Sequence, residues 1–245
     1  MANFRLTLSY DGTRYRGWQR QGNTDCTIQA KVETVLGRIL DQPVECHASG
    51  RTDAGVHARA QVVSFQAATA LRPEAILAQL RRYLPEDIGA MALCQAPHRF
   101  HARLNAAEKT YVYRVHNSAC PDVFNRRFVV QMPQRLDVET MQRAAQALVG
   151  RHDFASFCGN PHMKKSTVRT IFSFTVLRRG DEVVFTVRGD GFLMNMVRIM
   201  VGTLLEIGQG RRAADEIPAI LRQRRRDCAG PMAPAQGLCL WEVEY

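Results

Sequence analysis

The chain has 245 residues, 46% of them hydrophobic, and its 33 Lys and Arg residues outnumber its 23 Asp and Glu residues, which gives a net charge of +10. Such a length and apolar fraction are ordinary for a globular protein with one large domain or two small ones. The most apolar stretch, residues 192–207, is interrupted by polar side chains and is too short and too polar for a membrane span.

The positive charge predicts a polyanionic partner, and nucleic acid is the first candidate. Most of the cations are Arg, which suits phosphate and base recognition better than Lys does. A solvated basic surface is the alternative that charge alone leaves open.

The seven cysteines are odd in number and include no C-x-x-C pair, which is typical of reduced thiols in a cytoplasmic protein. The N-terminus leads straight into a strand pattern, so we expect no signal peptide. His98 and His101 are three residues apart, but no third ligand lies nearby in the sequence, so we predict no metal site.

The first half of the chain reads as one supersecondary unit. Its predicted elements, in order, are a strand at 4–10, a helix at 28–40, strands at 44–48 and 61–65, a helix from Pro73 and a strand at 88–94. The order strand, helix, strand, strand, helix, strand is that of a ferredoxin-like unit.

The second half repeats this order with one extra helix. Its predicted elements are a strand at 109–115, a helix capped by Asp137 and ended by Gly150, a hairpin of 168–177 with 183–187, a long helix from about Phe192, a short helix near 215–225 and a strand at 238–243. We therefore predict an α+β fold of two ferredoxin-like (βαββαβ) units, residues 1–104 and 105–245. Their mainly antiparallel sheets would lie side by side with helices on one face, and the chemistry would lie in a cleft between the units.

The loop of residues 49–58, Ser-Gly-Arg-Thr-Asp-Ala-Gly-Val-His-Ala, is the clearest candidate for chemistry. Glycine allows a sharp bend and a close approach to another molecule, and Arg51 can donate two hydrogen bonds to one phosphate. Asp53 is the only acid between Glu45 and Glu74, and a lone acid among arginines favours the ionised state. An ordinary Asp-containing turn is the alternative, because Asp and Gly are common turn residues.

The run Gly-Arg-Thr-Asp-Ala-Gly-Val-His-Ala resembles the signature loop of the tRNA pseudouridine synthases of the bacterial A type. The resemblance extends to Asp-Gly-Thr…Gly-Trp-Gln-Arg-Gln in residues 11–21, to Phe-His-Ala-Arg in 100–103 and to further motifs almost to the end of the chain. It implies that Asp53 is the catalytic nucleophile and that the reaction needs no cofactor or metal.

The loop of residues 11–21 mixes Arg with aromatic residues, a combination that grips phosphates and stacks on bases. The alternative for Trp18 is packing beneath a glycine-rich loop. The predicted RNA-binding residues, including those that the resemblance contributes, are Arg51, Tyr111, Leu238, Arg14, Arg16, Trp18, Arg20, Lys164 and Lys165.

Arg198 is a charged residue in an otherwise apolar helical run. A buried guanidinium needs a partner, and Glu206 and Asp190 are each eight residues away, which is awkward for a direct bond. We predict an ion pair with Asp53. The alternative is an Arg198 whose side chain extends along the helix surface to reach water. The resemblance favours the ion pair, because the family has an Arg in the same helix pattern.

Tyr111 lies on the strand at 109–115 with Tyr113 on the same face. A strand tyrosine is most often a core residue whose hydroxyl finds one partner. The resemblance implies instead that Tyr111 contacts the target base and acts as a candidate general base.

The implied activity is isomerisation of uridine to pseudouridine in the tRNA anticodon stem-loop, at positions 38, 39 and 40, by a cytoplasmic homodimer. Uridine would be flipped out of the RNA and attacked by Asp53 at ribose C1′ or at ring C6, two alternatives that the sequence leaves open. The competing hypotheses are a basic RNA-binding or chaperone-like module and a small-molecule hydrolase that uses Cys158 or His57.

Overall fold

The computed structural model describes residues 1–160 and 162–245, and these form two compact units. The first unit contains residues 1–107 together with 239–245, and the second contains residues 108–238. The sequence predicts that the final strand belongs to the second unit, whereas in the structure residues 239–245 cluster with the first.

The described residues contain ten strands and five α-helices. In chain order they are β1 (Ala2–Tyr10), α1 (Ile28–Leu40), β2 (His47–Ala48), β3 (His57–Ala67), α2 (Pro73–Tyr83), β4 (Ile88–Ala96), β5 (Glu108–His116), β6 (Val130–Gln131), α3 (Val138–Gln146), β7 (Gly150–Asp153), β8 (Val168–Arg179), β9 (Glu182–Gly189), α4 (Met196–Gly208), α5 (Ile217–Gln223) and β10 (Leu238–Glu244).

The first unit has the strand order β4-β1-β3-β10. β1 pairs antiparallel with β3 and β4, and β2 pairs antiparallel with β3, whereas β10 joins β3 in parallel through the pair Cys239 and His57. This parallel pairing explains why β10 belongs with the first unit. The chain order β1-α1-β2-β3-α2-β4 is that of the predicted unit.

The second unit has the strand order β5-β9-β8-β7, with antiparallel neighbours throughout, and β6 adds to β5 in parallel. The α+β class with a mainly antiparallel sheet is therefore confirmed. No helix among the described residues has the length and apolar character needed to cross a membrane.

Four predicted elements have clearly different bounds in the structure. The strand expected at 44–48 is reduced to His47–Ala48, and β3 begins at His57 rather than at residue 61. The helix α3 ends at Gln146, and Gly150 begins β7 instead of ending the helix.

The fourth difference concerns α4, which begins at Met196 rather than near Phe192. Asn195 adopts a left-handed conformation with φ of 58°, which interrupts the helical path, and asparagine tolerates this conformation better than most residues. Arg198 therefore lies in the first turn of α4 and not in the middle of a longer helix.

Gly202 holds α4 against the segment 231–233. A Cβ atom at this position would lie 1.8 Å from the carbonyl oxygen of Pro231, which is far inside van der Waals contact with backbone. The close approach allows Ala233 N–H to donate to the Arg198 carbonyl at 3.0 Å. Packing at Gly202 thus fixes the turn of α4 that carries Arg198.

We expect Gly202→Ala to destabilise the protein by more than about 2 kcal/mol, because the backbone of α4 and that of Pro231 must separate. Urea denaturation followed by circular dichroism measures the change. Gly22→Ala is the matched control, since a Cβ atom there meets nothing within 4 Å, and it should change stability by less than about 0.5 kcal/mol. Equal stability of the two variants would contradict this account.

Candidate active site

Asp53 lies half-buried on the loop between β2 and β3. Gln61 on β3 is fully buried and holds this loop: its Nε2 donates to the Gly50 carbonyl at 2.8 Å, and its Oε1 accepts from the Ser49 hydroxyl at 2.7 Å. The same Nε2 donates to the Tyr10 hydroxyl at 3.3 Å. The Asp53 loop is therefore tied to the sheet by a buried side-chain amide.

Tyr10 continues this network to the residue next to Asp53. Its hydroxyl hydrogen-bonds the Thr52 hydroxyl at 2.8 Å, and burial raises the pKa of Tyr10 well above its usual value, so the hydroxyl keeps its proton. The sequence analysis did not identify Tyr10 or Gln61 as site residues. The sequence feature that points to Gln61 is a polar side chain at the start of the predicted strand 61–65, because a polar side chain that becomes buried in a strand needs hydrogen-bond partners.

The loop of residues 11–21 packs against the Asp53 loop through backbone contacts. Trp18 N–H donates to the Thr52 carbonyl at 3.0 Å, and Gly55 N–H donates to the Tyr15 carbonyl at 3.3 Å. A Cβ atom on Gly12 would lie 2.0 Å from the Val56 carbonyl oxygen. The two sequence motifs therefore form one interlocked structure, in which small residues permit the close approach.

Trp18 has only 1% of its surface exposed, and its ring lies 6.3 Å from that of Tyr10 in a tilted arrangement. This burial favours the packing alternative for Trp18 over stacking on a base. Trp18 supports the Asp53 loop from below, and its predicted contact with RNA stays a prediction.

The predicted cationic residues of the first unit are exposed, but two of them have protein partners. Arg14 pairs with Asp87 at 2.7 Å, and Arg20 pairs with Glu33 at 3.4 Å. Arg16 and Arg51 are also exposed. Arg51 lies two residues from Asp53 on the same loop, so the structure keeps this cation and this acid in one short segment.

In the second unit, Tyr111 on β5 is 8% exposed and packs edge-to-face on Phe192 with 5.1 Å between ring centroids. Tyr113 is fully buried, and its hydroxyl donates to the Pro234 carbonyl at 2.8 Å. Burial raises the pKa of Tyr113 well above its usual value, although the nearby Arg198 acts in the opposite direction. Tyr113 thus has the core role that is usual for a strand tyrosine.

Arg198 is half-buried, and its Nε donates to the Ala233 carbonyl at 2.7 Å. The two local acids considered from the sequence are engaged elsewhere: Glu206 pairs with Arg212 at 3.1 Å, and Asp190 accepts from the Thr170 N–H at 3.0 Å. A cation in the first turn of a helix is also disfavoured by the helix dipole. The positive charge of Arg198 is therefore expected to be balanced by a group outside α4.

The remaining predicted residues of the second unit differ in exposure. Leu238 is 5% exposed at the start of β10, whereas Lys164 and Lys165 are exposed.

The two residues of the hydrolase hypothesis are almost fully buried, so a substrate has little access to them. Cys158 is 2% exposed and His57 is 3% exposed. The Nδ1 atom of His57 accepts from the Gly12 N–H at 3.0 Å, so this nitrogen is occupied by the backbone. In residues 1–160 and 162–245, no group of three or more His, Cys, Asp or Glu side chains is arranged to hold a metal ion.

The chain matches the family model described as tRNA pseudouridine synthase over residues 7–105 and 144–245. It is 42% identical over 245 residues to "tRNA pseudouridine synthase A 2" of Bacillus thuringiensis, with all of both chains covered. It is 46% identical over 239 residues to "tRNA pseudouridine synthase A" of Halalkalibacterium halodurans, covering 97% of this chain and 90% of that protein.

Among solved structures, the chain resembles the crystal structure of a Cbf5-Nop10-Gar1 complex only weakly, with a TM-score of 0.35 and 14% identity over 82% of this chain and 45% of that chain. The assignment rests instead on the family model and on the full-length relatives. By both of these comparisons, the chain belongs to the tRNA pseudouridine synthase family.

Proposed function

We propose that this protein converts uridine to pseudouridine in the anticodon stem-loop of tRNA, at positions 38, 39 and 40. The observation that carries the proposal is the Asp53 loop. Its sequence resembles the signature loop of the family, and a buried network of Gln61, Tyr10 and Thr52 holds it. The family match and the charge of +10 support a tRNA substrate.

Asp53 is the nucleophile in this proposal. The target uridine leaves the base stack at a cost of a few kcal/mol, and the carboxylate forms a covalent bond at ribose C1′ or at ring C6. The C–N glycosidic bond breaks, the uracil turns, and C5 bonds to C1′. The bond between Asp53 and the nucleotide breaks as well, which releases the free carboxylate. The proton on C5 then leaves and N1 gains one, so the reaction is redox-neutral and needs no cofactor.

Arg198 is the proposed ion-pair partner of Asp53. Glu206 and Asp190 are engaged by other groups, and the first turn of a helix is an unfavourable place for a positive charge. An opposite charge close to a carboxylate favours its ionised form and fixes its orientation. Arg198 would thus keep Asp53 ready to attack.

Tyr111 is the proposed contact to the flipped base and the candidate for moving the C5 proton. Its position on β5, almost buried and against Phe192, is suited to a residue that stacks beside a base. Leu238 would pack near the same base. The cationic contacts to the RNA backbone are proposed to be Arg14, Arg16, Arg20, Arg51, Lys164 and Lys165.

We further propose a cytoplasmic homodimer, with RNA laid across both subunits. The dimer rests on the family resemblance, and sedimentation velocity of the purified protein tests it. The cytoplasmic assignment is supported by the cysteines, since all seven lie in the described residues and are free thiols.

An RNA-binding module without catalysis is the alternative hypothesis. Both functions predict salt-dependent RNA binding, but they differ at Asp53. A binding surface gains nothing from a carboxylate among cations, because the negative charge repels phosphate.

We expect Asp53→Asn to lower the rate of pseudouridine formation by at least about a thousand-fold, because the amide is not a nucleophile. The assay is tritium release from tRNA labelled at uridine C5, with tRNA affinity measured in parallel. Retained affinity with lost release supports the enzyme. Absence of release by the wild-type protein from every tRNA would instead support the binding module.

For Arg198→Met, which keeps much of the packing and removes the charge, we expect a rate loss of about ten-fold or more. The acid limb of the pH–rate profile should also move to higher pH, because the ionised form of Asp53 loses its stabilising cation. Arg198→Lys should restore part of this shift. An unchanged pH profile in Arg198→Met would remove Arg198 from the site.

Tyr111→Phe should lower the single-turnover rate while leaving the fold intact, since the ring remains and only the hydroxyl is lost. Tyr113→Phe is the matched control on the same face of β5. It should cost about 1 kcal/mol of stability through the bond to Pro234 and leave the rate of the folded protein unchanged. Equal rates of the two variants would exclude a chemical role for the Tyr111 hydroxyl.

A further inference from the structure

A pocket of about 280 Å³ opens on the first unit, next to the loop that carries Asp53. Its walls come from three segments: the chain around His47, the Asp53 loop at Arg51, and the turn of residues 101–104. Its lining residues are Trp18, Gln19, Gln29, Glu45, Cys46, His47, Ala48, Arg51, His101, Arg103 and Leu104. The proposed catalytic residues Asp53, Tyr111 and Arg198 do not line it.

The floor of the pocket is rigid. Trp18 and Cys46 are 1% and 2% exposed. The Gln29 side chain accepts from Gln19 Nε2 at 2.8 Å and from Arg20 N–H at 2.9 Å, and it donates to Glu33 at 2.8 Å and to the Cys46 carbonyl at 3.2 Å. The polar groups of the floor are therefore satisfied by the protein, and a ligand would be recognised by the walls.

The walls carry more positive than negative charge. Arg51 and Arg103 are permanently cationic, and the single acid of the lining, Glu45, has 79% of its side chain exposed at the rim, 4.0 Å from His47. The imidazoles of His47 and His101 stack with 5.0 Å between centroids and 24° between planes. Two guanidinium groups and two imidazoles around one small pocket are suited to an anion.

The hydrogen bonds of His101 determine which of its nitrogens faces a ligand. Its Nδ1 accepts from the Arg103 N–H at 3.1 Å and from the Leu104 N–H at 3.4 Å, so this atom carries no proton. The proton is therefore on Nε2, which leaves a donor for an incoming oxygen. Burial lowers the pKa of His101 and the neighbouring His47 lowers it further, which keeps the ring neutral at neutral pH.

The turn that presents these groups is already organised. His101 N–H donates to the Asn105 Oδ1 at 2.7 Å, and Asn105 N–H donates back to the His101 carbonyl at 3.1 Å. These bonds fix residues 101–105 in the shape that places Nδ1 of His101 on the backbone of Arg103. A preformed turn binds a ligand with little loss of conformational freedom.

We infer that this pocket binds a backbone phosphate of the tRNA at a nucleotide other than the one that reacts, with Arg103 and His101 Nε2 as its principal donors and His47 supporting the His101 ring. The inference rests on the proposed function. Arg51 connects the pocket with the Asp53 site, because it lines the pocket and lies two residues from Asp53. A polynucleotide whose reacting uridine is at Asp53 can therefore reach the pocket with a neighbouring phosphate, which a free nucleotide cannot do.

The test uses Arg103→Gln and His101→Phe, the second of which keeps an aromatic ring on His47 and loses the donor. For both we expect the Kd for tRNA to rise about five- to ten-fold at a fixed salt concentration. In Arg103→Gln the plot of the log of the association constant against log salt concentration should also become less steep. The magnitude of its negative slope should fall by about 0.7 to 0.9, the value of one phosphate contact.

The matched control is Arg38→Gln, which removes the same charge from an exposed arginine of the first unit in the last turn of α1. Its Kd and salt slope should equal those of wild type. An equal loss in Arg38→Gln, or an unchanged Kd and slope in Arg103→Gln, overturns the inference. Arg103 is exposed, so its replacement leaves the fold intact even where His101→Phe does not.

A free anion is distinguished from RNA by fluorescence. In Trp241→Phe, Trp18 on the pocket floor becomes the sole tryptophan and reports on the pocket. Quenching by inorganic phosphate together with the altered salt slope of Arg103→Gln supports a phosphodiester site, whereas quenching with an unaltered slope overturns the RNA assignment. These binding readouts stand even if the wild-type protein releases no tritium, a result that would reject the proposed function alone.

Discussion

The Asp53 loop depends on one buried side-chain amide. Gln61 is fully buried on β3, and its amide reaches Ser49, Gly50 and Tyr10 at once. A buried amide without partners would cost several kcal/mol, so the loop and the sheet can adopt only the arrangement that satisfies it. The polar network therefore selects one conformation of the loop that carries the proposed nucleophile, as covalent catalysis requires.

The proposed functional cation of the second unit, Arg198, is held in a different way. Arg198 stands in the first turn of α4, where the helix dipole opposes a positive charge, and its carbonyl and Nε are both bonded to Ala233. Backbone packing at Gly202 holds that arrangement. A charge placed at an electrostatic cost by such close packing is well explained by a function, because stability alone would favour an apolar residue there.

Local patterns in the sequence predicted the elements that have strong periodicity, such as α1 with its apolar face and the hairpin of β8 and β9. They failed where tertiary contacts decide. The start of α4 depends on the left-handed Asn195, and the membership of β10 depends on a parallel pairing with β3, neither of which leaves a local signal. For the site, the motif led to Asp53, but Tyr10 and Gln61 emerged only from their burial and bonding.

Rigidity and exposure are divided between different residues of the first unit. The carboxylate loop, Trp18 and the pocket floor are held by satisfied hydrogen bonds and close packing, whereas Arg16, Arg51 and Arg103 extend into solvent. Exposed cations attract a phosphate backbone at long range, and a catalytic group held in one position is ready to react with a correctly placed substrate. In the proposed function, a fixed loop with exposed cations on the same unit therefore allows tRNA anticodon arms that differ in sequence to meet the same carboxylate in one geometry.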